Sequence, residues 1–344
     1  MQLVAHRFDL ILKHPFTISK GTRDSQPSLI IELQQDGYSG YGEAPAIFYY
    51  GVTVQELADE AMLIRDALAG KKLSSPELFW DWLAQKNIHP FLLSALDEAA
   101  YDLYGKMHQI PTWKYIGGKN EQLPITNYTI GLSSPEQLLL KIQNNPWPAY
   151  KIKLGPEKAI ETIELIRKHT QADLRVDANA AWTVEQTLSL APKLKNLGVS
   201  FIEQPLAVED IAGMQQLFAE SVLPIFADES CQTEEDIAKA KGLFHGVNIK
   251  LPKCGGITPA RRMIKEARQL GLQVMVGCMV ESSIGISAIA QLLPFLDIAD
   301  LDGALLLKSD PGEGVKIVDG VVSFSGDGNG AKLILSGNVN SCIQ

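Results

Sequence analysis

The feature that most constrains this chain is a repeat of texture. From about residue 123 onward, short β-rich runs end in polar residues, and a helix-like stretch follows each one. The runs are ITNYTIG, AYKIKLG, LRVDAN, VSFIEQPL, PIFADES, GVNIKLPK, QVMVGCMVESS and IADLDG. The polar ends are evenly spaced: 24 residues from Lys153 to Asp177, 26 more to Glu203, 25 to Asp228 and 22 to Lys250. One strand, a helix of about 11 residues and two short loops fill that interval, so the repeat reads as a βα unit. Eight such strands predict a closed parallel barrel.

The flanks read differently. SLIIELQQDGYSGYGEA alternates apolar with polar residues around Asp36-Gly37, a tight-turn pair, and predicts an antiparallel meander. Residues 53–69 and 90–106 follow with apolar residues at helical spacing, Phe91, Ala95, Leu96, Ala99 and Leu103 on one face. After IADLDG no full helix intervenes before EGVKIVDGVVSF, whose Asp319-Gly320 pair predicts a second hairpin, so the eighth helix is missing. The expected fold class is α/β, a TIM-like (β/α)7β barrel at 121–308. An α+β capping domain at 1–120 covers it, and the 309–344 hairpin and tail return to the cap. The final GNVNSCIQ is expected to be poorly ordered.

Composition narrows the partners. Against 31 Lys plus Arg stand 40 Asp plus Glu, and the net charge of −9 repels nucleic-acid phosphates and anionic lipid alike. The four cysteines show no CxxC spacing, which argues against a disulfide framework or a zinc ribbon. No apolar run approaches a membrane span, and the N-terminus lacks the pattern of a leader, so a cytoplasmic protein is expected. A homo-oligomer is left open.

In a parallel barrel the C-terminal strand ends converge on one mouth. Asp177, Glu203 and Asp228 end runs three, four and five. Three carboxylates that close would drive each other's pKa upward unless a cation sat among them. Oxygen ligands alone point to Mg²⁺, with Mn²⁺ as a substitute. Lys151 and Lys153, two apart on run two, share a face, and Lys250 ends run six on the opposite side of the ring. Two lysines so placed can reach both faces of one carbon, and a nearby cation would lower their pKa toward the range of a general base.

The KxK, DxN, EQP, DES and NIKLxKxGG runs, in this order and at this spacing, resemble the muconate-lactonising branch of the enolase superfamily over nearly the whole chain. The resemblance implies a Lys base with Mg²⁺ stabilising an ene-diolate. It implies Asp177, Glu203 and Asp228 as metal ligands, Asn179 supporting them, Lys153 and Lys250 as the acid/base pair, and Lys151 as an electrostatic helper. Thr129 and Cys278, ending runs one and seven, would contact substrate.

Run eight separates the branches. Asp300 and Asp302, two apart, lie on one strand face opposite the metal and suit a cationic group. A carboxylate at the metal and an ammonium at that wall need roughly the 7 Å reach of two residues, which describes a dipeptide. The pair also resembles the motif by which dipeptide epimerases hold the free α-amino group. Arg23 in the first capping loop suits an acidic second residue, whereas Phe48, Tyr49 and Tyr50 in the second favour a small or apolar one. The expected activity is therefore Mg²⁺-dependent inversion of the C-terminal residue of a dipeptide. The alternatives are an N-acyl amino acid racemase, an o-succinylbenzoate synthase, or a non-catalytic metal-stabilised binding protein. No histidine ends a run, so zinc-hydrolase and Ser-His-Asp chemistry lack their key residue.

Overall fold

The computed structural model describes residues 1–18, 21–334 and 342–343. Strands β1 (Gln2–Ile18), β2 (Gly21–Gln35) and β3 (Tyr38–Pro45) form an antiparallel meander. Its β2–β3 turn is the expected pair, with Asp36 and Gly37 both at positive φ, the conformation a two-residue hairpin demands. Helices α1 (Val54–Ala67), α2 (Pro76–Ala84) and α3 (Pro90–His108) follow. Thr53 and Glu56 open α1 with reciprocal capping bonds. The meander sits almost backbone to backbone on α3. A Cβ at Gly40 would come within 2.3 Å of Ala99 O, and one at Gly42 within 2.0 Å of Ala95 O. Only glycine on the strand, facing alanine on the helix, permits this approach.

The barrel strands are β4 (Tyr128–Ile130), β5 (Ala149–Lys153), β6 (Asp173–Asp177), β7 (Val199–Glu203), β8 (Ile225–Ala227), β9 (Gly246–Ile249), β10 (Gln273–Gly277) and β11 (Ile298–Asp300). They pair in parallel in sequence order, and a backbone bridge from Thr126 to Ala299 joins the first to the last. Helices follow β4 to β10, whereas β11 is followed only by a 3-10 turn at Gly303–Leu306, as the absent eighth helix requires.

The C-terminal hairpin corrects an expectation. Lys316–Val318 and Val321–Ser323 pair around Asp319-Gly320, but they do not join the meander. Gly320 O accepts from Thr126 N at 2.8 Å, which places the hairpin under the N-terminal ends of β4 and β5. Val315 and Val322 enter the barrel core there, so apolar burial holds the hairpin at the bottom of the barrel, away from the mouth. The tail beyond the hairpin does return to the cap: Asn329 donates to Asp102 Oδ1 and Glu98 O of α3, Ala331 packs against Ile30 of β2, and Cys342–Ile343 pairs with Ala5 and His6 of β1. The rest of GNVNSCIQ lies outside the described residues.

Cap and barrel are docked by buried carboxylates. Glu43 of β3 accepts from Ser282 N and Gly285 N at the start of the helix Ser283–Ala290. Asp97 of α3 accepts from Thr258 N and Oγ1 at the start of the helix Ile257–Gln269. Helix N-termini favour negative charge, so both are natural anchors. Glu98 and Glu281 lie beside Glu43. Burial pushes all three glutamates up, and the Glu43 charge adds to it at Glu281, which reaches about 8. A carboxyl whose folded pKa is raised keeps a proton that the unfolded chain releases near 4.5, so stability falls as pH rises from there to about 8. Glu281→Gln keeps an acceptor for Met279 N and cannot ionise. It is expected to gain at least about 2 °C in Tm over the wild type at pH 9 relative to the same comparison at pH 6. Thermal melts at the two pH values check this, and an equal difference at both counts against it.

Candidate active site

Three strand ends bring the acids together. Asp177 closes β6, Glu203 closes β7 and Asp228 follows β8, with carboxylate oxygens within 4.8 Å of one another and all three residues buried. Lysines supply their counter-charge. Lys153 Nζ lies 2.7 Å from Asp177 Oδ2, and Lys250 Nζ 2.7 Å from Asp228 Oδ2. Lys151 Nζ lies 2.9 Å from Glu203, 3.4 Å from Asp177 and 2.8 Å from Asp300, so it joins the triad to the wall at β11.

These pairings set the electrostatics of the triad. Glu203 rises to about 7, where burial outweighs Lys151. Burial also pushes Asp177 and Asp228 up. Lys153 and Lys151 overcome it at the first, Lys250 and Lys253 at the second, and both end below the usual carboxylate range. The lysines answer to the same carboxylates. Burial alone would lower Lys151 and Lys250, but the facing carboxylates hold both well above the ordinary lysine value.

The donor set fits a hard divalent cation: all oxygen, formally trianionic, with no thiol or imidazole in the triad. Glu203 Oε2 is buried and ion-paired with Lys151 Nζ at 2.9 Å but accepts no hydrogen bond, so it is left with ligating capacity. Asn179 accepts from Lys153 Nζ at 3.0 Å through Oδ1 and donates its backbone N–H to Asp177 Oδ1 at 3.0 Å.

Beside the triad opens a cavity of about 490 Å³, lined by Lys151, Lys153, Asn179, Asp228 and Lys250 together with Thr129, Cys278, Asp300 and Asp302. Arg23, Tyr49 and Tyr50 of the cap close over it. Phe48 does not: it is 66% exposed. The three aromatics form a 3-10 turn at Phe48–Tyr50, and three residues per turn send successive side chains in different directions. Arg23 hydrogen-bonds Gln26 Oε1, and its guanidinium carbon lies 5.9 Å from the Tyr49 ring centre.

Asp300 and Asp302 reach the same cavity by different routes. Asp300 ends β11, whereas Asp302 lies past the strand at φ −89° and ψ 4°, so strand alternation does not align them. Thr129 does, donating its N–H and hydroxyl to Asp302. The Asp302 side chain makes no capping bond to the Gly303–Leu306 turn. Lys151 holds Asp300 low against its burial, while burial and the Asp300 charge push Asp302 to about 7.

Sequence reasoning assigned no role to three supporting residues. Asn248 donates to Glu203 Oε1 at 2.7 Å, and Lys253 donates to Asp228 O and Oδ1 at 2.6 and 2.8 Å. Both lie in the NIKLPKCGG run, Asn248 two before Lys250 and hence on its face. Gln204 lies in the EQP run, directly after Glu203. It adopts positive φ, and its Oε1 accepts from Asp228 N and Ser230 N, stapling the turn that carries Asp228 to the end of β7.

A capped parallel barrel whose mouth holds a carboxylate triad between two lysines has the form of an enolase-type enzyme. Residues 3–117 match the family profile described as mandelate racemase / muconate lactonizing enzyme, N-terminal domain, and residues 136–332 match enolase C-terminal domain-like. The chain belongs to the mandelate racemase/muconate lactonizing enzyme family. It is 48% identical, over 97% of its length and 100% of the relative, to an L-Ala-D/L-amino acid epimerase of Flavobacterium johnsoniae. Among solved structures it resembles the substrate-liganded L-Ala-D/L-Glu epimerase of Bacillus subtilis, with TM-score 0.90 and 28% identity, covering 96% of this chain and 98% of that one. It also resembles a dipeptide epimerase of Enterococcus faecalis complexed with Mg and L-Leu-L-Tyr, with TM-score 0.87 and 30% identity, again covering 96% and 98%. Among the described residues no helix is long and apolar enough to cross a membrane.

Proposed function

We propose that this protein is a Mg²⁺-dependent dipeptide epimerase that inverts the α-carbon of the C-terminal residue. The observation that carries this reading is one cavity that brings the lysines beside a carboxylate triad together with the Asp300–Asp302 pair. The relatives named as dipeptide epimerases support it.

Asp177, Glu203 and Asp228 would hold the cation, with Asn179, Asn248 and Lys253 fixing their orientation. When bound, Mg²⁺, or Mn²⁺ in its place, supplies positive charge against the negative charge that develops on the substrate carboxylate. Lys153 and Lys250 come from β5 and the end of β9, four strands apart in a ring of eight, and so approach the α-carbon from opposite sides. One removes the α-proton and the other returns a proton on the far face. Lys151, pinned between Glu203 and Asp300, keeps positive charge beside the reacting end. Asp300 and Asp302 hold the free ammonium, and Thr129 and Cys278 border it. The second side chain meets Tyr49, Tyr50 and Val208 around an Arg23 already bonded to Gln26, so small and apolar residues are favoured over glutamate.

The test is a dipeptide library incubated in D₂O with Mg²⁺, each substrate gaining one deuterium at its reacting carbon, and repeated with Asp302→Asn. The variant is expected to lose about 100-fold in kcat/KM on free dipeptides and little on N-acetylated ones, because only the former bring an ammonium to the pair. Equal losses on both would place the pair in a structural role and favour the N-acyl racemase alternative.

A further inference from the structure

The barrel seam carries a side-chain chain of bonds that ends on the ammonium site. Between β4 and β11 the one backbone bridge among the described residues is Thr126–Ala299, and side chains replace the rest of the ladder. Asn127, fully buried beside it, donates Nδ2 to Asp300 Oδ1 at 2.7 Å and accepts at Oδ1 from Arg175 Nη1 at 2.9 Å. Arg175 reaches across from β6, and the same nitrogen donates to Ala299 O at 2.9 Å. A guanidinium has donors only and an ionised carboxylate acceptors only, so the Asn127 amide can point one way: oxygen to Arg175, nitrogen to Asp300. Its Nδ2 also lies 3.4 Å from Thr129 Oγ1, the hydroxyl that bonds Asp302.

We infer that Asn127 is a positioning residue for the amino end of the substrate. Resting on the dipeptide reading above, this deepens it: selectivity for a free α-amine depends on a buried neutral amide that never touches substrate. Asp300 is drawn on one oxygen by Lys151, at 2.8 Å, toward the triad. Asn127 holds the other oxygen toward the seam, and the two donors together fix the carboxylate plane. Without Asn127 the Lys151 contact alone orients Asp300, which can then rotate away from the ammonium. Aspartate in place of Asn127 would put like charge against Asp300, and an apolar residue would leave Arg175 and Asp300 each short of a partner.

The experiment compares Asn127→Leu with the wild type on free and N-acetylated dipeptides. The expected result is a loss of about thirtyfold in kcat/KM on free dipeptides, carried by KM, with N-acetylated substrates within twofold. In an Asp300→Asn background the same change is expected to cost less than twofold, because the group it orients no longer carries the charge. Should Asn127→Leu fail to fold, Asn127→Ser, which keeps a polar group against Arg175, carries the same comparison. Equal losses on both substrate types, additive losses in the double variant, or no loss at all overturn the inference while leaving the epimerase reading intact. A wild-type enzyme that ignores free dipeptides and turns over only N-acyl substrates overturns both.

Discussion

Lys153→Ala and Lys250→Ala are each expected to lower epimerisation about 10³-fold or more, while each still exchanges the α-proton of one epimer with solvent deuterium. Proton transfer by a positioned side chain is worth about 10²- to 10⁴-fold, and inversion needs both partners. Each lysine has its own anchor, Lys153 on Asp177 and Asn179, Lys250 on Asp228, so removal of one leaves the other in place. The surviving base can still abstract the proton on its own side and return a deuteron there, giving exchange without inversion. Proton NMR of each epimer in D₂O separates the two outcomes. Near-normal inversion in either variant rules out the two-lysine scheme, and loss of exchange of both epimers in both variants points to a collapsed site.

Exhaustive chelation is expected to abolish turnover, with Mg²⁺ restoring it fully and Mn²⁺ in part. Glu203→Gln should weaken metal binding and activity together, by about two orders of magnitude each. Glu203 is the central acid of the three by strand order, and its Oε2 is the buried oxygen that accepts no hydrogen bond. The substitution keeps the shape and the acceptor for Asn248 while removing one ligand charge. A buried trianionic site depends on that charge more than an exposed one would, since water screens little of it. Calorimetric titration of Mg²⁺ beside a kinetic metal titration reads both quantities. Full activity after metal removal, or tight Mg²⁺ binding by an inactive Glu203→Gln, counts against the assignment.

The positions of the triad, the two flanking lysines and the barrel were legible because each depends on a short-range regularity. Spacings of 22 to 26 residues set the βα repeat, and strand ends of a parallel barrel meet at one mouth whatever the intervening helices contain. Where a conclusion needed local backbone geometry beyond that rule, it missed. Phe48 faces solvent because its segment is a 3-10 turn, and Asp302 is aimed by Thr129 because it has already left the strand. The Asp319-Gly320 pair predicts a hairpin and one forms, but on the floor of the barrel and not on the meander, since a turn signal says nothing about what the apolar face of Val322 will pack against.

By itself, the order of residues determined the fold class, the mouth of the barrel and the acids and lysines gathered there, because strand alternation and repeat length act within a few tens of residues. Only the tertiary structure decided the pairing of charges. Lys151 joins Asp300 across 149 positions, Asn127 joins it across 173, and Glu43 meets Ser282 across 239. Such partners become neighbours when the seam closes and the cap docks. Burial there strips away the water that would otherwise screen them, so the identity of the neighbour sets each group's charge state.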